Sequence, residues 1–221
     1  EKINKKCTIV KGELINKDLI KRIIHENNIE IIFHLAAQVE VGLALKNPFD
    51  TFETNIRGTY SLLDVINNNQ NKIKSIIIAS SDKAYGNYPE SLLPYKEDYA
   101  LLPKFPYDVS KASADLIAQS YCEKPFKLPI IITRFANIYG PGQLNFSALI
   151  PDLIRSALNY SKFEPRSDGT LKRDYLFIDE VIDLYLKISE KQYTHPLKYS
   201  GEIYNAGSRN FYNVQEIVNK I

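Results

Sequence analysis

Ile73-Lys74-Ser75-Ile76-Ile77-Ile78-Ala79-Ser80-Ser81-Asp82-Lys83-Ala84-Tyr85-Gly86 is the stretch that decides the fold of this chain. Its apolar run over residues 73–80 is too short for a buried helix and reads as a strand covered on both faces. It breaks off into hydroxyls and charges, and in open α/β sheets ligands bind beyond the carboxyl ends of the strands. Ahead of it lies a helical pattern opening near Pro48, with Phe49, Phe52, Ile56, Tyr60, Leu63 and Ile66 on one stripe and Asn67-Asn68-Asn69 at its end. Behind it, a second long helix over residues 106–123 leads into another apolar strand over 129–134. Further upstream, residues 7–10 read as a short buried strand. Asn16 then precedes a helix bearing Leu19, Ile20, Ile23 and Ile24, and residues 29–37 form an isoleucine-rich strand. Strand and helix alternating in this way predict an α/β protein with a doubly wound parallel sheet.

Residues 86–106 hold prolines at 89, 94, 103 and 106 and read as a long surface loop, a feature that is usually functional or disordered. From Tyr139 the texture changes. A Gly140-Pro141-Gly142 turn, a helix over 147–159, a polar turn over 166–170, a helix over 179–189, a strand over 202–205 and a helix starting at Asn213 follow in order. The expected division is a cofactor-type domain over 1–140 with 171–190, and part of a smaller substrate domain over 141–170 with 191–221. The sequence starts at Glu1, contains no methionine and stops at Ile221 inside a helical pattern, so it reads as an internal piece of a longer chain.

The 221 residues are 44% hydrophobic and 24% charged with a net charge of +2, which gives no reason to expect a nucleic-acid or membrane partner. The longest apolar runs fall far short of the roughly 20 residues a membrane span needs, and no signal peptide is visible. Cys7 and Cys122 sit in apolar patterns and are expected to be free, buried and reduced. A cytoplasmic enzyme without a metal is the expectation.

The chemistry concentrates in Tyr107-Asp108-Val109-Ser110-Lys111, where a spacing of four puts the phenol and the ammonium on one helix face. A phenol titrates near 10, and a neighbouring ammonium favours its phenolate. Alone, the pattern is equally a solvated tyrosine and a surface lysine. Its context is Ser80-Ser81-Asp82-Lys83-Ala84-Tyr85-Gly86, His34-Leu35-Ala36-Ala37-Gln38 and Asn55-Ile56-Arg57-Gly58-Thr59, together with residues 134–142 and 173–178. In this order and spacing, these segments resemble the extended short-chain dehydrogenase/reductases, the nicotinamide-dependent nucleotide-sugar epimerase/dehydratase family with a Rossmann-like fold.

The resemblance implies roles for particular residues. Tyr107 would be the acid/base, Lys111 would lower its pKa and bind the nicotinamide ribose, Ser81 would bond the reacting hydroxyl, and Asn55 would complete the tetrad. Glu13, Leu14, Leu35, Ala36, Ala37 and Gln38 would line the cleft of a tightly held NAD, with NADP not excluded. Asn137 would touch a nucleotide-diphosphate sugar and Arg173 would pair with its diphosphate. Helices over 48–69 and 106–123 would form a homodimer interface. Two departures stand out. The family's glycine-rich phosphate turn is absent, so the first βα unit is missing and tight cofactor binding by this segment is not expected. Gly12-Glu13 also stands where Gly-Asp is usual.

Asp82-Lys83 after Ser81 chooses the reaction. Family 4-epimerases have small or apolar residues there, and aspartate–lysine matches the form resembling CDP-glucose 4,6-dehydratase. A dehydratase needs an extra acid and base. Asp82 would serve the C6 oxygen, and Lys83, after losing its proton, would take the C5 hydrogen. The alternative for Lys83 is a structural salt bridge. The alternative functions are a nucleotide-sugar 4-epimerase, a non-catalytic dinucleotide-binding regulator, or an inactive fragment.

Overall fold

The computed structural model describes residues 7–69, 72–165 and 168–221. Its larger sheet is parallel, in the order β1 (Ile31–His34), β2 (Ser75–Ser81), β3 (Ile130–Phe135), β6 (Ile203–Ala206). Ile76 pairs with Ile130 and Ile78 with Ile132, and the side chains then alternate between two cores. Ile76, Ile78, Ile130 and Ile132 meet α1 (Lys17–Glu26), α4 (Gly58–Asn67) and α5 (Pro106–Cys122) through Ile24, Leu63, Ile66 and Ala118. Ile77 and Ile131 point the other way, onto Val181, Tyr185 and Ile188 of α7 (Ile178–Thr194). Burial on both faces explains the unbroken apolar run, and the Rossmann-like doubly wound sheet holds.

A second sheet, β4 (Asn137–Tyr139), β5 (Arg173–Phe177) and β7 (Phe211–Tyr212), was not anticipated. Strand β5 runs directly into α7, while α6 (Leu149–Leu158) and α8 (Val214–Val218) complete the chain. Strand β6, from residues 191–221, joins the larger sheet, and β5, from residues 171–190, joins the smaller one. The sheets thus interleave segments across the division drawn from the sequence. Of the polar turn expected at 166–170, residues 166–167 lie outside the described residues, and 168–170 belong to no helix or strand.

Three local expectations are corrected. Residues 7–10 form no strand, and Ile9 and Val10 are exposed, as is Cys7. A strand needs a hydrogen-bonding neighbour, and residues 7–10 pair with none among the described residues, where β1 remains an edge strand of the sheet. Cys122 is only half-buried.

The helix expected from Pro48 is instead α2 (Val41–Lys46), α3 (Pro48–Phe52), a π-helical turn at Glu53–Arg57 and then α4. Pro48 begins α3 after the Asn47 cap. The wide π turn inserts an extra residue per turn and rotates the following face. Leu63 and Ile66 are buried as expected, while Phe49, on the other side of the turn, is exposed, as is Tyr60 of the same predicted stripe.

The proline-rich segment is ordered by packing. Tyr85 stacks on Tyr95 at 4.7 Å and Tyr88 on Tyr99 at 5.1 Å. Gly86 turns the chain at φ 71°, where a Cβ would fall 2.0 Å from the carbonyl oxygen of Leu102, so only glycine fits. Among the described residues, no helix is long and apolar enough to cross a membrane.

Candidate active site

Strand β2 and helix α5 meet where the chemistry was expected. Ser81 ends β2 and caps a 3-10 turn, Asp82–Tyr85, its hydroxyl accepting the Lys83 N–H at 3.2 Å. Pro106 starts α5 opposite this turn, and Tyr107 and Lys111 follow one helical turn apart. Both are buried, at 8% and 7% exposure. Burial pushes the Tyr107 phenol up to about 12, against a hydrogen bond from Ser81 that favours the phenolate, and Asp82 and Asp108 add to the rise. Burial brings the Lys111 ammonium down to about 8, opposed by Asp115. The Lys111 nitrogen donates to the Ala79 carbonyl at 2.8 Å. Lys111 is not among the groups that act on Tyr107, whose rise is set first by burial.

Asn55 lies in the π turn and is 2% exposed. Its amide nitrogen donates to the Gln38 carbonyl at 3.0 Å and the Ser110 hydroxyl at 2.8 Å, and its oxygen accepts the Gln38 N–H at 2.7 Å. Ser110 in turn donates to the Tyr107 carbonyl at 2.7 Å. Asn55 therefore ties the end of β1 to the catalytic helix.

His34 supports this joint and was missed as a functional residue, although it lies within a quoted motif. The Thr59 hydroxyl gives its one proton to the Asn55 carbonyl at 2.7 Å, so it accepts from Nε2–H of His34 at 2.8 Å, which assigns that tautomer. Burial, then the Lys111 charge, lower His34 to about 4 from 6.5. The unfolded chain therefore binds a proton between pH 6.5 and 4 that the folded chain does not, and stability falls as pH falls through that window. Between pH 7 and 5 the loss from this group is about 2 kcal/mol. Urea unfolding of His34→Asn is expected to show a correspondingly flatter acid limb, and an unchanged limb would contradict a neutral, buried His34.

Asp82 and Lys83 stand beside Tyr107, both partly exposed. Ser81 donates to the Asp82 carboxylate at 3.1 Å, and the Lys83 nitrogen lies 3.8 Å from the same oxygen. A recess of about 10 Å3 behind them is lined by His34, Ala36, Ala37, Asn55, Ser80 and Lys111, among others. The Ser80 hydroxyl and the Gln38 side-chain oxygen are buried without a hydrogen-bond partner among the described residues. Leu35 is 54% exposed. Glu13 is exposed in the turn before α1, and Leu14 is half-buried near Gly58.

Asn137 and Arg173 lie on neighbouring strands of the small sheet. Asn137 donates to the Asp174 carbonyl at 3.0 Å. Arg173 is exposed, makes no ion pair among the described residues, and acts electrostatically on Tyr95 and Tyr175. Tyr95 also feels Asp82 and Asp108, so it lies within electrostatic reach of both Arg173 and the acid/base turn. A larger cavity of about 880 Å3 borders the same small sheet through Tyr139, Tyr175 and Phe177, but none of Ser81, Tyr107 or Lys111 lines it.

Sequence reading also missed the anchor of the loop. Arg134, 2% exposed, forms a two-pronged pair with Asp115 at 2.8 and 3.0 Å. It also donates to the Tyr85 hydroxyl at 2.7 Å and the Glu97 carbonyl at 3.0 Å. Tyr85 continues to Asn205, which holds the Tyr95 carbonyl. This network fastens residues 86–106 to the ends of β3 and β6.

A sheet with a Ser–Tyr–Lys site at its carboxyl edge defines a class, and comparison with known proteins agrees. Residues 1–207 match the NAD dependent epimerase/dehydratase family, and the chain belongs to it. It is 35% identical to dTDP-D-glucose 4,6-dehydratase of Dictyostelium discoideum, over 90% of this chain and 45% of that protein. It is 30% identical to CDP-glucose 4,6-dehydratase of Salmonella typhimurium, over 90% of this chain and 56% of that one. Among solved structures, dTDP-glucose 4,6-dehydratase from Bacillus anthracis in complex with NAD superposes with a TM-score of 0.83 at 32% identity, covering 96% of this chain and 62% of the other. The chain spans about half the length of these two curated relatives.

Proposed function

We propose that this protein is a nucleotide-sugar 4,6-dehydratase that uses NAD. The observation that carries this reading is the Asp82–Lys83 pair, set by the Ser81 cap beside Tyr107. The residues at the ribose end fit NAD. The orphaned Ser80 hydroxyl, the Lys111 ammonium with one bond to Ala79, and the small side chains of Ala36 and Ala37 suit a hydroxyl-rich, flat group. Lys111 and Ser80 would hold the ribose, and Glu13 and Leu14 the adenine side. When bound, NAD supplies a hydride acceptor, later a hydride donor, and a positive ring charge that favours the Tyr107 phenolate.

Tyr107 takes the proton from the sugar 4-hydroxyl, with Ser81 bonded to the same oxygen. Loss of that proton together with the C4 hydrogen as hydride would leave a ketone at C4, which acidifies the C5 hydrogen. Lys83 in its neutral form would remove that hydrogen as a proton, while Asp82 in its protonated form would donate to the C6 oxygen, which leaves as water. Arg173, a planar donor fork without an ion pair among the described residues, suits a diphosphate. Asn137 stands beside it in the sheet. Exposed Phe49, Tyr60 and Leu116 on α3, α4 and α5 support a homodimer through these helices, and two free cysteines suit the cytoplasm.

In deuterated water a dehydratase places solvent deuterium at C5, whereas a 4-epimerase leaves C5 untouched. Lys83→Met is expected to lower C5 exchange by about 10²-fold or more, as loss of a general base does. Full exchange in that variant would reduce Lys83 to a structural partner of Asp82.

A further inference from the structure

Asp174 follows Arg173 in β5, and the chemistry above gives it no part. Its carboxylate is engaged on both oxygens. One accepts the Ser208 N–H at 2.9 Å and the Ser208 hydroxyl at 2.7 Å, and the other accepts the Arg209 N–H at 3.0 Å. Its main-chain carbonyl accepts the Asn137 amide at 3.0 Å. The fit around the carboxylate is close. A Cβ at Gly207 would fall 2.2 Å from the second oxygen, so a side chain there would push the carboxylate off its donors. Arg209 delivers its N–H from φ 62°, a region that residues with a side chain rarely enter.

These bonds gather what connects the two sheets. The larger sheet, which carries Ser81, passes into the smaller one twice by a short connection. One runs from β3 through Ala136 into β4, which begins at Asn137, and the other from β6 through residues 207–210 into β7. Asp174 holds both, the first by its carbonyl and the second by its carboxylate. We propose that Asp174 is a positioning residue for the diphosphate clamp, fastening Arg173 and Asn137 to the sheet that carries the reaction centre. This rests on the reading of Arg173 as the residue that pairs with the substrate's diphosphate. All three donors to the carboxylate are neutral, and successive strand residues face opposite sides. Asp174 therefore fixes the strand without neutralising the guanidinium beside it in sequence. A diphosphate gripped by Arg173 brings its sugar to Tyr107 only while the two sheets keep their separation, and a misplacement of about 1 Å costs about 10²-fold in rate.

The test uses the protein from its complete reading frame and reads binding, not turnover. Wild type is titrated calorimetrically with dTDP, UDP and CDP, and the tightest of these is compared with its own monophosphate. Asp174→Asn puts an NH2 where one oxygen now accepts, facing another donor. It is expected to weaken the diphosphate about tenfold more than the monophosphate. In Arg173→Gln, where the clamp is already lost, the same change is expected to leave the ratio of the two affinities where it is. A folded Asp174→Asn with an unmoved ratio, or losses that add in the double variant, would make Asp174 a structural staple only. Gly207→Ala keeps every charge and displaces the carboxylate, so it decides the matter if Asp174→Asn does not fold. Its ratio is expected to shift in the same direction, and an unmoved ratio there overturns the proposal. If wild type binds none of the three diphosphates, the reading of Arg173 fails and the proposal falls with it. Tight binding by wild type with an unmoved ratio in the variants sinks the proposal alone.

Discussion

Tyr107→Phe is expected to lower turnover about 10³-fold while leaving the fold in place. The substitution removes one oxygen, and that oxygen is the site's proton carrier. General acid/base groups contribute about 10² to 10⁴ in rate, and no other hydroxyl stands on the same face as Lys111 one turn away. Ser81 could not replace it, because an alcohol is far too weak an acid to cycle a proton near neutral pH. The structural cost is small. The ring remains buried, and the lost hydrogen bond with Ser81 is worth about 1 kcal/mol. Steady-state kinetics beside a urea unfolding curve measure both quantities. A variant within tenfold of wild type would remove Tyr107 from the mechanism.

Arg134→Met is expected to cost about 3–5 kcal/mol, the largest loss of stability from a single change at the site. Asp115 is 0% exposed and would be left with the Gln119 amide, at 2.7 Å, as its remaining side-chain donor among the described residues. The Tyr85 hydroxyl and the Glu97 carbonyl lose their donor as well, so residues 86–106 come loose from β3. A buried pair replaced as a whole behaves differently from one that is broken. Arg134→Met with Asp115→Leu is therefore expected to recover much of the loss in global stability, but not the loop anchoring. Urea unfolding with limited proteolysis of the loop separates the two effects. Equal destabilisation by the single and double variants would show that packing, not unpaired charge, sets the cost.

The parts legible in the sequence are those where local pattern and burial coincide. Ile76-Ile77-Ile78 could not serve one face only, so it announced a strand between two layers, and the two cores receive its side chains in alternation. Tyr107 and Lys111 were legible because four-residue spacing is a property of any helix. The π turn was not, because it adds a residue without any change of composition, and it takes Phe49 before it out of register with Leu63 and Ile66 after it. Strands of the small sheet escaped notice because β4 and β7 are very short and half-exposed, with no period to read. Residues 7–10 show the reverse failure, since an apolar run becomes a strand only when a neighbour exists. Arg134 and Asp115 are distant in sequence, and their meeting depends on α5 crossing β3. His34 lay in plain view within a motif. What sequence could not show was its burial, and burial is what keeps it neutral.

The most direct test of the central claim follows mass, not absorbance. The protein from its complete reading frame is incubated with a panel of nucleotide-hexoses and the products are weighed by mass spectrometry. Loss of one water from one member, yielding a 4-keto-6-deoxy sugar, is the predicted result and names the substrate. Unchanged mass with inverted stereochemistry at C4 would contradict it, make the enzyme a 4-epimerase, and leave Asp82–Lys83 a structural pair.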